Sequence, residues 1–272
     1  MNNFFSYLQT EKGIELYNIN LSILFESIKE RHAFEKNWES FLESDKDNSE
    51  VFFRKGDVLS YFSEILIPDN IKNRIPLLLT FGNPVPHSIK QKCFFSYEGK
   101  FREHRIWNIL ENTGLMSFDK SDFKGDVISQ SIIRKNKMYD SDYNSKYVIG
   151  FMPFFSMPTT PSLTSYAGVA GIKKLFGNQA FKKIALAERE RFYKNIDIFM
   201  PQKGVVVVFQ KDSYNFSKPN NAPEYDLKDI KQGKYSFFID EDKPIHYLMH
   251  PPTRLIHSTN SKKLLKDINT IL

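Results

Sequence analysis

Apolar residues in the first part of the chain recur at helical spacing. Leu21, Leu24, Phe25 and Ile28 fall on one face of a helix, and a second set with similar spacing lies within residues 58–66. Apolar positions three and four residues apart are typical of amphipathic helices. The pattern therefore predicts a helical N-terminal extension over residues 1–74.

The pattern changes at Ile75, where continuous apolar runs replace the periodic ones. Four such runs end in polar loops, at residues 75–81, 147–152, 204–209 and 245–249. Strands that are buried on both faces of a parallel sheet have this appearance, whereas strands with one wet face alternate.

Helical patterns lie between and after these runs, at residues 103–113, 169–176, 179–193 and close to the C-terminus. The third of them carries mixed charges that we assign to an exposed face. Strands alternating with helices predict an α/β fold, here a three-layer α/β/α domain over residues 75–272 with a four-stranded, mainly parallel sheet. Ligands of such sheets bind at the carboxyl ends of the strands.

Composition narrows the classes of protein that fit. The 272 residues carry 38 Lys and Arg against 32 Asp and Glu, a net charge of +6 that only weakly favours an anionic partner. Cys93 is the only cysteine, which excludes an internal disulfide framework, an all-cysteine zinc site and a cysteine-ligated iron–sulfur cluster. The sequence shows no signal peptide and no apolar run long enough to cross a bilayer, so we expect a cytoplasmic monomer without a membrane partner.

Two proline-containing loops follow predicted strands and carry polar side chains. Asn83-Pro84 comes after the first strand, and His250-Pro251-Pro252-Thr253-Arg254 comes after the fourth. Asn and Pro are common turn residues, so each loop taken alone is explained as a turn. The pair is more informative, because it offers an amide and an imidazole at strand ends of one sheet.

These motifs resemble those of the uracil-DNA glycosylase superfamily, and within it the mismatch-specific and single-strand-selective monofunctional branches. Asn83-Pro84 matches the core of their first motif, whose flanking glycines are Phe81 and Val85 here, with Gly82 one residue out of register. The segment 250–254 is similar to their last motif, and Arg105-Ile106-Trp107 to the opening of their first helix. The resemblance runs from about Ile75 to the C-terminus. The second strand lacks an asparagine that several branches use to read the base, which puts uracil itself in doubt as the substrate.

The resemblance implies catalytic roles for two residues. Cleavage of an N-glycosidic bond produces a cation-like sugar and an anionic base, so the enzyme must position a water and stabilise negative charge on the base. Asn83 would hold the water, and His250 would donate a hydrogen bond to a carbonyl oxygen of the leaving base. His246 and His257 are nearby rivals for the second role.

The resemblance also implies contacts to the flipped base and to DNA. Pro84 and a stacking ring would contact the base; Phe95 is our choice of ring and Tyr97 its rival, with core packing an alternative for Phe95. Arg254 would insert into the duplex beside Thr253. Further candidates for phosphate contacts are Ser156, Thr159, Thr160 and Lys173. No cofactor and no metal are expected.

The sequence thus predicts a monofunctional DNA glycosylase acting on single- or double-stranded DNA. Its substrate would be uracil, a deaminated or oxidised pyrimidine, or a hypermodified pyrimidine of invading phage DNA. One alternative is a catalytically silent module on the same fold that recognises lesions or modified DNA. An unrelated hydrolase is disfavoured, since the sequence has no Gly-x-Ser-x-Gly elbow and no phosphate-binding glycine loop.

Overall fold

A computed structural model describes residues 3–71, 73–97, 101–161, 165–232, 237–239, 244–253 and 259–268. The chain forms two compact units from interleaved segments. The first unit contains residues 3–65, Gly82–Lys92 and Pro153–Tyr193, and the second contains Leu66–Phe81, Cys93–Met152 and the residues from Lys194 onward.

The first unit is built on an antiparallel sheet of four strands in the order β1-β2-β4-β3. The strands are β1 (Phe5–Glu11), β2 (Ile14–Asn20), β3 (Phe52–Lys55) and β4 (Val58–Glu64). Tyr17 lies opposite Tyr7 on one side and Tyr61 on the other. Because directly opposed side chains on one face are neighbours, the three rings stack, with centroids 5.3 Å apart at each step.

The described residues of this unit also form six helices. They are α1 (Leu21–Leu24), α2 (Ile28–Glu43), α3 (Asn48–Val51), α4 (Pro86–Lys90), α7 (Gly168–Phe176) and α8 (Asn178–Phe199), the last of which continues into the second unit. Helix α2 begins at Ser27, whose side chain accepts from the Glu30 N–H in a capping arrangement. Its buried face presents Phe34 and Phe41.

The prediction of a helical N-terminal extension is therefore wrong in part. Residues 58–64, expected to be helical, form strand β4. Leu59 and Tyr61 are buried, and Ser63 continues that alternation, but its small polar side chain conceals the strand pattern in the sequence. Pairing with β2 settles the conformation, since every residue of β4 has a partner there.

The second unit contains the sheet of the predicted α/β domain, but Gly82–Lys92 and Pro153–Tyr193, which the prediction placed in that domain, belong to the first unit. The strands of this sheet are β5 (Ile75–Phe81), β6 (Tyr147–Pro153), β7 (Gly204–Val208), β8 (Phe237–Ile239) and β9 (Ile245–Met249). Their order is β6-β5-β7-β9-β8, with β5, β7 and β9 parallel and the short β8 antiparallel at one edge. This confirms the three-layer α/β/α fold and the four-stranded, mainly parallel sheet, to which β8 adds a strand that the sequence did not predict.

Helices cover both faces of this sheet. The helices of the unit, besides the end of α8, are α5 (Arg105–Asn112), α6 (Val127–Tyr139), α9 (Lys211–Ser217), α10 (Leu227–Lys231) and α11 (Thr259–Asp267). On one face, residues of α5, α6 and α11 join alternate strand residues in a single apolar cluster. On the other, Gly150 lies against Phe199 and Gly204 against Met200. None of the helices in the described ranges is both long and apolar enough to span a bilayer.

Candidate functional site

The loop after β5 holds the side chain of Asn83 in a defined orientation. Asn83 is half-buried, and its Nδ2 donates to the carbonyl oxygen of Pro84 at 3.1 Å and to Oγ1 of Thr159 at 2.7 Å. An amide nitrogen has two hydrogens, and both are used. Within the part of the chain that the structure describes, no group donates to Oδ1, so this oxygen remains an acceptor.

The loop after β6 lies beside Asn83 in the first unit. The Phe155 N–H donates to the Gly82 carbonyl at 2.9 Å, and the Thr159 N–H donates to the Pro84 carbonyl at 3.1 Å. These main-chain bonds fix the spacing between residues 82–84 and the loop 153–161.

A buried ion pair on α8 anchors the same loop. Glu188 Oε1 accepts from both the N–H and the hydroxyl of Ser156, and Arg191 Nη2 donates to the carbonyls of Pro153 and Phe154. Glu188 and Arg191 bond each other at 2.6 Å, and both are fully buried. Burial lowers the pKa of Arg191, but Glu188 and the neighbouring Tyr17 and Glu15 together raise it further, so the guanidinium stays charged.

The structure corrects the predicted phosphate contacts in this loop. Ser156, Thr159 and Thr160 are all buried, and Ser156 is bonded to Glu188 and to the Tyr61 hydroxyl at 2.8 Å. These hydroxyls have no exposed surface to offer a phosphate. Lys173, by contrast, is exposed on α7, as a DNA contact requires.

In the second unit, Phe95 lies in a tightly specified turn. Its φ is +51°, a left-handed conformation that is uncommon for a bulky residue and is often found at functional sites. The indole N–H of Trp107 donates to its carbonyl at 3.1 Å. The half-buried ring packs edge-on against Phe81, with centroids 4.8 Å apart, and lies 4.6 Å from the ring of His104. Phe95 therefore joins the edge of the apolar cluster while keeping part of its surface exposed.

Tyr97, the rival ring, occupies a different setting. It is half-buried, and its ring lies 4.9 Å from that of the exposed Phe101. Phe95 thus rests on the core of its unit, whereas Tyr97 rests on an exposed neighbour. A ring that must stack against a base in one position is better served by the first arrangement.

His250 directly follows β9 and is fully buried. Its ring packs 4.4 Å from that of Phe209, and its carbonyl accepts from the Tyr225 hydroxyl at 2.9 Å. Nδ1 lies 2.9 Å from the carbonyl oxygen of Pro251. A carbonyl can only accept, so this contact assigns the proton to Nδ1 and makes Nε2 of the neutral ring an acceptor. The neutral ring therefore cannot donate from Nε2, contrary to the role that the sequence predicts.

The other predicted residues are divided between described and undescribed parts of the chain. Pro84 is buried and Thr253 half-buried. Arg254 and His257 lie outside the described residues. His246 lies within strand β9, paired on both sides, and burial lowers its pKa. In the described ranges, no three His, Cys, Asp or Glu side chains come together as a metal site.

The ion pair of Glu188 and Arg191 was missed because charged residues on a helix were assigned to its exposed face. The signal was present in the spacing. Phe181, Ile184 and Ala185 lead at helical intervals to Glu188, so the carboxylate falls within the apolar stripe of α8.

No protein-family model matches the chain, and no curated protein matches it either. The resemblance to glycosylases rests on the motifs and on their places at the strand ends.

Proposed function

We propose that the chain is a monofunctional DNA glycosylase that flips out a damaged or modified pyrimidine nucleotide and hydrolyses its N-glycosidic bond, leaving an abasic site. The orientation of the Asn83 amide carries this proposal. With both Nδ2 hydrogens committed to Pro84 and Thr159, Oδ1 is held as an acceptor immediately beyond strand β5. Such an oxygen can accept one hydrogen of a water and direct the water's lone pair toward the sugar.

In the reaction, the bond between the sugar C1′ and the base nitrogen breaks and its electron pair leaves with the base. The water oxygen bonds to C1′ and its proton passes to solvent. An amide is a weak base, so Asn83 contributes by positioning rather than by proton abstraction. We therefore expect a modest turnover, since no carboxylate stands at this position to offset the charge on the sugar.

His250 is proposed to donate to the departing base. The ring is fully buried against Phe209 in the structure, so this role requires the ring to become uncovered when DNA binds. With Nδ1–H directed at Pro251, only the imidazolium form can donate from Nε2 to a carbonyl oxygen of the base. A base with an exocyclic amino group can instead donate to the neutral ring.

Stacking supports the same proposal. Phe95 offers a half-exposed ring supported by Phe81, and base–aromatic stacking is worth roughly 1–3 kcal/mol in proteins that bind single strands. That is comparable to the few kcal/mol that extruding a nucleotide costs. Exposed Lys173 and half-buried Thr253, together with Arg254, are proposed to contact the DNA.

The test is release of base from labelled oligonucleotides, single- and double-stranded, carrying uracil, hydroxymethyluracil, oxidised or glucosylated pyrimidines. Asn83→Ala should abolish alkali-labile abasic sites, and His250→Ala should abolish or strongly reduce them. Asn108→Ala serves as a matched control for Asn83→Ala, because it removes the same amide from an exposed helix position. Release that survives in Asn83→Ala would contradict the proposal.

The second candidate is a catalytically silent module that recognises lesions or modified DNA. The full burial of His250 against Phe209 favours it, since a ring packed in this way also serves structure alone. Salt-dependent binding to the same oligonucleotides without any base release would support this candidate.

A further inference from the structure

The amide of Asn83 could adopt two orientations that differ by exchange of its oxygen and nitrogen. Only one of them suits a water-holding role, because the other would turn Nδ2 outward as a donor. The neighbouring carbonyl of Pro84 accepts at 3.1 Å and the hydroxyl of Thr159 at 2.7 Å. The shorter contact, to Thr159, is also the one supplied by a distant part of the sequence.

Thr159 is itself held in place. It is 1% exposed, and its N–H donates to the Pro84 carbonyl. The main chain and the side chain of Thr159 therefore both form hydrogen bonds with the segment that carries Asn83. The β-branched side chain restricts rotation about χ1, which limits the positions that Oγ1 can take. The loop around it is tied to α8 through Glu188 and Arg191.

We propose that Thr159 is a positioning residue for Asn83. Its hydroxyl holds the amide in place, while the Pro84 carbonyl, which can only accept, keeps Nδ2 inward and Oδ1 as the outward acceptor. This rests on the proposed function, in which Oδ1 holds the attacking water. Thr159 does not touch the substrate. Its loss would let the amide rotate and would slow the chemical step while leaving DNA binding intact.

The experiment compares kcat and KM for Thr159→Val and Thr159→Ser on the oligonucleotide that the wild-type protein cleaves best. Thr159→Val keeps the shape and removes the acceptor, so kcat should fall about 10- to 100-fold with KM nearly unchanged. Thr159→Ser restores the hydroxyl and should recover most of the rate. Thr80→Val is the matched control, because Thr80 is also buried but its hydroxyl has no hydrogen-bond partner in the described chain.

A second measurement needs no activity. Urea unfolding of wild type, Asn83→Ala, Thr159→Val and the double variant forms a double-mutant cycle. A coupling between the two substitutions shows that the hydrogen bond contributes to stability, and additive effects show that it does not.

The outcomes separate the two proposals. Release by wild type, loss of kcat in Thr159→Val and rescue by Thr159→Ser support the positioning role. Release by wild type with normal kcat in Thr159→Val, or with an equal loss in Thr80→Val, overturns that role and leaves the glycosylase standing. No release by wild type rejects the glycosylase, and with it a catalytic use of Thr159, even if the coupling is present.

Discussion

In the first unit, polar and charged groups are buried among aromatic rings, whereas the sheet of the second unit is packed in an almost wholly apolar cluster. The first unit encloses Glu188, Arg191 and the hydroxyls of Tyr17 and Tyr61. The cluster of the second unit consists of Leu, Ile, Val, Met, Phe, Tyr and Trp side chains. The difference corresponds to the candidate residue in each unit. Hydrogen bonds orient the amide of Asn83 in the first unit, and apolar packing supports the ring of Phe95 in the second.

The largest effect should come from the charged network. Arg191→Met leaves the Glu188 carboxylate buried without its cation and removes the donor to Pro153 and Phe154, so it should lower the free energy of unfolding by about 3–5 kcal/mol. Urea unfolding measures the loss. In the double variant Glu188→Leu/Arg191→Met the buried charge is absent, so part of the loss should be recovered, although the hydrogen bonds to Ser156, Pro153 and Phe154 are still missing. Equal loss in both variants would show that the ion pair is not the cause.

Replacing a glycine in either unit should reduce stability by an intermediate amount, for a different physical reason in each unit. A Cβ at Gly150 in β6 would lie 3.2 Å from the ring of Phe199, so Gly150→Ala should cost about 1–3 kcal/mol by overpacking. Gly56 in the first unit has open space but a φ of +58°, so Gly56→Ala should cost about 1 kcal/mol through backbone strain. Thermal unfolding of both variants tests the contrast. A smaller loss of stability in Gly150→Ala than in Gly56→Ala would contradict this prediction.

The smallest effect is electrostatic and lies on the surface of the first unit. Hydrogen bonds from Arg54, with help from Arg31, lower the pKa of Glu35 to about 2 from its usual 4.5. A lowered pKa in the folded state gives stability that is present above pH 4.5 and is lost as the pH falls toward 2. Glu35 is partly exposed, so Glu35→Gln should cost at most about 1 kcal/mol at pH 7.

The measurement for Glu35 is the difference in stability between pH 7 and pH 3. Wild type should lose more on acidification than Glu35→Gln, and the gap should shrink in high salt. If wild type and Glu35→Gln lose the same stability on acidification, Glu35 is not the source of the pH dependence.

The second unit was predictable because its strands are buried on both faces. The bounds of Ile75–Phe81 and Ile245–Met249 agree with the apolar runs that predicted them. No comparable signal marks β8, a three-residue edge strand that depends on β9 for its pairing. The antiparallel sheet of the first unit was missed for a related reason, since Ser63 occupies an inward position of β4 and only the partner strand fixes the conformation of β4.

The places of Asn83 and His250 after strands were predictable, but their contacts were not. Position after a strand pointed to Asn83 and His250, and both do lie directly beyond strand ends. Loop conformations bring Thr159 to Asn83 and the Pro251 carbonyl to His250. No periodicity in the sequence encodes such conformations. Burial of Ser156 likewise depends on a carboxylate from a helix more than thirty residues away.

The interleaving of segments has a consequence for synthesis of the chain. The ring of Tyr17 is covered by the guanidinium of Arg191, whose centre lies 5.6 Å from it. At roughly 5–20 residues per second, the ribosome releases the N-terminal strands roughly ten to thirty seconds before Arg191 emerges. During that interval the stacked tyrosines lack their cover. The first unit can therefore complete its fold only after a residue from far along the chain has emerged.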